Sequence, residues 1–134
     1  MSRAPGRWIG RPLRRREDPK FLQGKARFVD DLTAPGMTHL VIVRSTAAHA
    51  IIRKVHTAAA RAMPGVLAVL TDAEIAGGLH PVVPIPIEGA QVAPVPHPLL
   101  AGDRVRYVGE PVAAVLAASR AEAEDAAQAI EIDY

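Results

Sequence analysis

Residues 105–134 read VRYVGEPVAAVLAASRAEAEDAAQAIEIDY, and this stretch decides the architecture. Two runs rich in β-formers, Val105 to Val108 and Pro111 to Leu116, flank the turn pair Gly109-Glu110. Ser119 and Glu122 stand three residues apart, the spacing of a capping box, and open a helix expected from Arg120 to Ala129. Ile130 to Tyr134 then returns to strand. The core face of the helix carries Ala123, Ala126 and Ala127. Alanine lets a helix lie close on a sheet, but at about 25 cal/mol per Å² such a face contributes less than a leucine face, so the domain is expected to lean on neighbours.

The same punctuation continues upstream. Val66 to Leu70 is apolar at every position, as a central strand is, and Thr71 to Glu74 repeats the capping spacing before Gly77-Gly78. Thr57 can cap a short alanine-rich helix from Ala58 to Met63 that Pro64-Gly65 must stop. Ile51 to Val55 reads as one β-rich run. His39 to Arg44 reads as a strand, and Ala26 to Val29 as its hairpin partner across the Pro35-Gly36 turn. Leu79 to Pro98 holds six prolines and two histidines without periodicity, an excursion of the kind that serves as an interface. Residues 1–24, broken by prolines and glycines, read as an extended arm.

The chain has 134 residues, 49% hydrophobic and 22% charged, which suits one folded domain. No apolar run reaches the 18 or so residues of a membrane span and no secretory signal opens the chain, so the expected location is the cytoplasm. There is no cysteine, which excludes disulfides, thiolate ligation of iron-sulfur clusters and thiol nucleophiles. Charge is uneven: residues 1–27 carry nine Lys or Arg against Glu17 and Asp18, and the remainder seven against twelve acids. The arm around Arg14-Arg15-Arg16 could meet phosphates, but aromatics for base stacking are 4% of the chain, and partner docking or solvation is the favoured use.

The search for reactive groups finds none to nominate. His39, His49, His56, His80 and His97 never form an i, i+4 metal-binding pair on a helix. Asp30-Asp31 are neighbours that point apart in a strand, and a turn or cap explains them better than a shared proton. No phosphate loop or dinucleotide fingerprint occurs, and Ser45 and Ser119 lack a nucleophile-elbow context. The expected catalytic, cofactor-binding and metal-ligating residues of this chain are therefore none.

A family resemblance rests on an ordered series of segments. Gly10 to Leu13 with Arg16-Glu17-Asp18, then Leu22 to Asp31, resembles the opening of large subunits of the carbon monoxide dehydrogenase and aldehyde oxidase type. Pro35-Gly36-Met37, Arg44-Ser45, Ala62 to Val66, Val69-Leu70-Thr71, Arg106 to Ala113 and Ala123 to Ala126 continue it in register. The chain departs from the family segment Arg-Ser-Pro-His-Ala-His-Ala-Arg-Ile at Thr46, Ala47 and Ile51, keeps His49, and has His56 where an aspartate is usual.

The resemblance implies an α+β fold, the α/β-hammerhead of the xanthine dehydrogenase superfamily: a small mixed β-sheet with two or three short helices, over residues 25–134. It implies a structural and assembly domain of a molybdenum hydroxylase large subunit, an oxidoreductase whose molybdopterin cofactor sits in other domains. Partners would be the rest of that subunit and the subunits or domains carrying iron-sulfur clusters and FAD. The sequence is then either an excised domain or a separately encoded piece. Arg44, His49, Gly109 and Glu110 are the candidate docking residues. The alternative is a free-standing module that takes an anionic partner or nucleic acid with its basic arm.

Overall fold

In the computed structural model, residues 12–76, 78 and 97–134 are described. The chain divides into two compact units, Met1–Pro35 and Gly36–Tyr134. The excursion from Leu79, with His80, lies outside the described residues up to residue 96.

In the first unit the expected strand at Ala26 to Val29 is absent. The Asp31 carboxylate accepts from the Phe28 backbone N–H at 2.9 Å and curls the chain into a 3-10 turn, Val29–Asp31. Part of the stretch read as an extended arm forms a helix, α1 (Asp18–Leu22), with Pro19 in its first turn, where a missing N–H is harmless. The Phe21 and Phe28 rings meet with centroids 5.8 Å apart, yet no described residue of this unit is buried.

The second unit holds strands β1 (His39–Arg44), β2 (Ala50–Ile51), β3 (Lys54–His56), β4 (Val66–Thr71), β5 (Arg104–Val105), β6 (Pro111–Ala117) and β7 (Glu131–Asp133). Its helices are α2 (Ala58–Arg61), α3 (Asp72–Ile75) and α4 (Arg120–Gln128). This is the expected α+β class with three short helices. The sheet expected to be mixed is antiparallel at every described pairing: β1-β6-β4, β2-β5 and β3-β7.

The middle strand is β6, and its composition explains why. Five of its seven residues are buried, among them Val112, Ala113 and Val115, and small side chains let it be covered on both sides. Pro111 is tolerated because it is the first residue of the strand. The run Val66 to Leu70, expected to be central, is instead an edge: Leu67 sits at a register shift in β4 and is 57% exposed. The partner of β1 is likewise β6 rather than Ala26 to Val29. Ile51 to Val55, read as one run, is two strands with different partners, β5 for β2 and β7 for β3.

The capping box at Thr71 is complete, and at Ser119 the N-cap half of the expected box forms. Glu74 accepts from the Thr71 N–H at 2.8 Å and opens α3; the Ser119 hydroxyl accepts from the Glu122 N–H at 3.3 Å and opens α4. Thr57 precedes α2 without a side-chain cap bond. α4 lies on β1 and β6 with Ala123 and Ala126 fully buried, and the core beneath it gathers Ala60, Val69, Ala113, Val115 and Ile130. A second small cluster joins Ala101, Val105 and Val112. The largest fully buried side chains are all valines, so each buried residue contributes little and the fit of backbone to backbone matters more.

Candidate functional site

Because β1 and β6 are antiparallel neighbours, the end of one meets the start of the other, and Arg44-Ser45 comes to lie beside Gly109-Glu110-Pro111. Gly109 has φ +89°, a conformation that side chains with a Cβ rarely adopt. Its N–H donates to the Ser45 carbonyl at 2.8 Å, and the Ser45 N–H donates to the Glu110 carbonyl at 2.9 Å. The Arg44 guanidinium donates to the Gly109 carbonyl at 3.0 Å. Sixty-five residues of sequence separate Arg44 and Gly109, so these bonds are a product of strand pairing.

Two side chains at this corner face inward. Glu110 is 4% exposed; its carboxylate accepts from the Arg106 backbone N–H and lies 3.8 Å from the Arg106 guanidinium. Such a buried carboxylate is stable only because a charge and a backbone donor meet it. Ser45 is 2% exposed: its Oγ donates to the Ala47 carbonyl at 2.9 Å and accepts from the Ala47 N–H at 3.0 Å and from the Tyr134 hydroxyl at 3.2 Å. Among the described residues these two are the only buried polar ones, and both hold the corner.

Three of the four docking candidates, Arg44, Gly109 and Glu110, thus come together. His49 is exposed in the connection before β2, and among the described residues no side-chain hydrogen bond joins it to them. Arg106, Tyr134 and Ser45 also belong to the corner, although none of them is a docking candidate on sequence. Their sequence positions carry no periodic signal, since their importance comes from contacts that span up to 89 residues. His56, at the position where an aspartate is usual, has its Nε2 2.8 Å from the carboxylate of Asp133 on β7.

A cleft of roughly 350 Å³ opens between β3 and α3, lined among others by Lys54, Thr57, Asp72, Glu74 and Gly102. Of its two carboxylates, Glu74 is already engaged: the Thr71 hydroxyl and N–H both donate to it, and Arg61 lies 2.6 Å away. The hydrogen bonds from Thr71, joined by the Arg61 charge, hold the Glu74 carboxyl below its ordinary range. Among the described residues no three His, Cys, Asp or Glu side chains gather where they could hold a metal ion, and no helix is long and apolar enough to cross a membrane.

Comparison with known proteins places this geometry. The family described as aldehyde oxidase and xanthine dehydrogenase, a/b hammerhead domain, matches residues 23–134. The chain is 42% identical over 128 residues to the nicotine 6-hydroxylase large subunit of Paenarthrobacter nicotinovorans, covering 93% of this chain and 15% of that protein. It is 43% identical over 120 residues to the carbon monoxide dehydrogenase large chain of Hydrogenophaga pseudoflava, covering 89% of this chain and 14% of that one. Its fold superimposes on quinoline 2-oxidoreductase from Pseudomonas putida 86 with a TM-score of 0.80 at 44% identity, over 91% of this chain and 15% of that chain. The chain therefore spans about one seventh of the length of these relatives, and matches favour a subunit domain over a free-standing module. On the matched residues, the identity and the superimposed fold, the chain belongs to the aldehyde oxidase and xanthine dehydrogenase family, as its α/β-hammerhead domain.

Proposed function

We propose that this chain is a structural and assembly domain of a molybdopterin-binding large subunit, contributing position rather than reacting groups to a molybdenum hydroxylase. The observation that carries the reading is the use made of the buried polar groups: Ser45 and Glu110 are both turned inward to hold the β1-β6 corner. A reactive centre needs polar groups converging on a substrate-sized space, whereas these converge on backbone.

In the complete subunit the molybdopterin cofactor supplies hydroxylation or oxidation of small substrates with water as the oxygen source. The donor set of this chain does not fit the accompanying groups: without cysteine it cannot ligate an iron-sulfur cluster through thiolates. On the family resemblance, molybdopterin is assigned to other domains of the large subunit, and iron-sulfur clusters and FAD to partner subunits or domains, in a cytoplasmic complex. Arg44 and His49 act as docking side chains at the surface, and Gly109 and Glu110 act by fixing the shape of the turn beside them. The basic side chains of residues 1–24 meet an acidic partner surface or water.

Elemental analysis and a visible spectrum of the complex purified from its native host test this. Molybdenum, iron and flavin in fixed ratio to the chain are expected. A colourless, metal-free chain retained on heparin at low salt would overturn the reading in favour of an anion-binding module.

A further inference from the structure

In the ribbon of β2 and β5, Ala50 stands opposite Val105 and Ile51 opposite Arg104. Alternation along a strand sends the first pair to one face and the second to the other. Val105 is fully buried and Ile51 is 62% exposed, so the outer face carries Ile51 and Arg104. Past β5 the chain crosses a turn whose tip leaves Tyr107 52% and Val108 65% exposed.

This turn is held firmly. The Glu110 carboxylate binds the Arg106 N–H, the Glu110 N–H donates to the Tyr107 carbonyl at 3.3 Å, and Gly109 is bonded on both sides to Arg44 and Ser45. Side chains at the tip add nothing to that network, so serine or aspartate there would hold the same backbone without exposing apolar surface. Tyr107 and Val108 instead stand exposed on this fixed backbone, next in sequence to Arg106, and Ile51 is exposed opposite Arg104 on the ribbon that leads into the turn. Interfaces concentrate their binding energy in tyrosine and arginine anchors of this kind, and fixed backbone lowers the ordering cost of contact.

We propose that Ile51, Tyr107 and Val108, framed by Arg44, Arg104 and Arg106, form the contact through which this domain docks on the remainder of its large subunit. This rests on the reading of the chain as a domain of that subunit. The complementary surface is an apolar depression edged by carboxylates: Arg104 and Arg106 share one exposed acid, Asp103, at 3.2 and 3.4 Å, Arg44 is bonded to a backbone carbonyl, and Glu110 is buried. In relatives the matched region is about 15% of one chain, so such a partner lies on the same polypeptide at high effective concentration, and a small patch suffices.

The test uses the complete large subunit in its assembled enzyme, with photoreactive p-benzoylphenylalanine replacing Tyr107 in one preparation and Glu124, exposed on α4, in another. Cross-links from position 107 to large-subunit residues outside 1–134, at about tenfold the yield of position 124, are expected for an anchor at the centre of a contact. Equal yields, or cross-links from 107 only to a different subunit, overturn the proposal. The double variant Tyr107→Ser, Val108→Ser gives a second readout: proteolytic release of this domain from the subunit should quicken about tenfold, as loss of a hot spot requires, and an unchanged rate overturns the proposal. Molybdenum and flavin content of the same preparations reads the domain assignment separately. If they are present while the cross-links fail, only the docking contact falls; if no molybdenum-containing complex holds the chain, both do.

Discussion

The layer under α4 and the corner at Ser45 and Glu110 hold together in opposite ways. Beneath the helix the buried side chains are Val69, Ala113, Val115, Ala123 and Ala126, apolar groups whose attraction has no preferred direction. At the corner the buried side chains include Ser45 and Glu110, and order comes from directed hydrogen bonds to backbone. A layer of alanines and valines resists loss of volume. The corner resists change of backbone shape, and that is the property a surface needs if it is to meet a partner in one geometry.

Substitutions at three positions probe this contrast and one at a fourth lies outside it, taken from the largest expected effect to the smallest. Val115→Ala removes volume from the middle of the layer, where no solvent reaches, and should lower stability by about 2–3 kcal/mol. Urea unfolding measures it, and a loss below about 0.5 kcal/mol would mean that the layer is not the principal core. Gly109→Val should cost about 1–3 kcal/mol through its positive φ. A Cβ at that position meets nothing within 4 Å, so the cost is conformational alone, and Gly109→Asn, which tolerates the left-handed region, should recover much of it. Equal melting midpoints for the Val and Asn variants would count against this account of the turn.

Ser119→Ala removes the cap of α4 and should cost about 1 kcal/mol, read as a shift of the thermal midpoint. A shift as large as that of Val115→Ala would mean that the cap also positions the layer. The smallest effect belongs to Glu74→Gln, outside both regions. Because Thr71 and Arg61 hold Glu74 below its ordinary value of 4.5, its stabilising contribution is present above that pH and lost as pH falls through the lower folded value. Wild type and variant should therefore differ near neutrality and converge on acidification below 4.5. A difference that grew on acidification would reverse the sign and overturn the assignment.

Local signals in the sequence were reliable where the cause is itself local. Ser119 with Glu122 and Thr71 with Glu74 announce helix starts because a cap needs only three residues of spacing. His39 to Arg44 is a strand with the expected bounds, and Gly109 stands in the expected turn, with φ +89°. Phe28-Val29 misled because a β-rich composition does not reveal that Asp31 will capture the Phe28 N–H. Val66 to Leu70 misled because apolarity on both faces says that a strand can be central, not that it is; the small residues of β6 take that place.

By itself the sequence determined the classes of residue available: strands and capped helices in a fixed order, an alanine face on the last helix, no thiol, a basic start, and segments sufficient to resemble a family. Tertiary structure alone decided which strand lies in the middle, which runs pair, and that Arg44, Ser45, Arg106, Glu110 and Tyr134 share one corner. The physical reason is range. Capping and turn preferences are settled within a few residues, whereas strand order and the burial of a carboxylate depend on which distant segments can together cover apolar surface and satisfy every backbone donor.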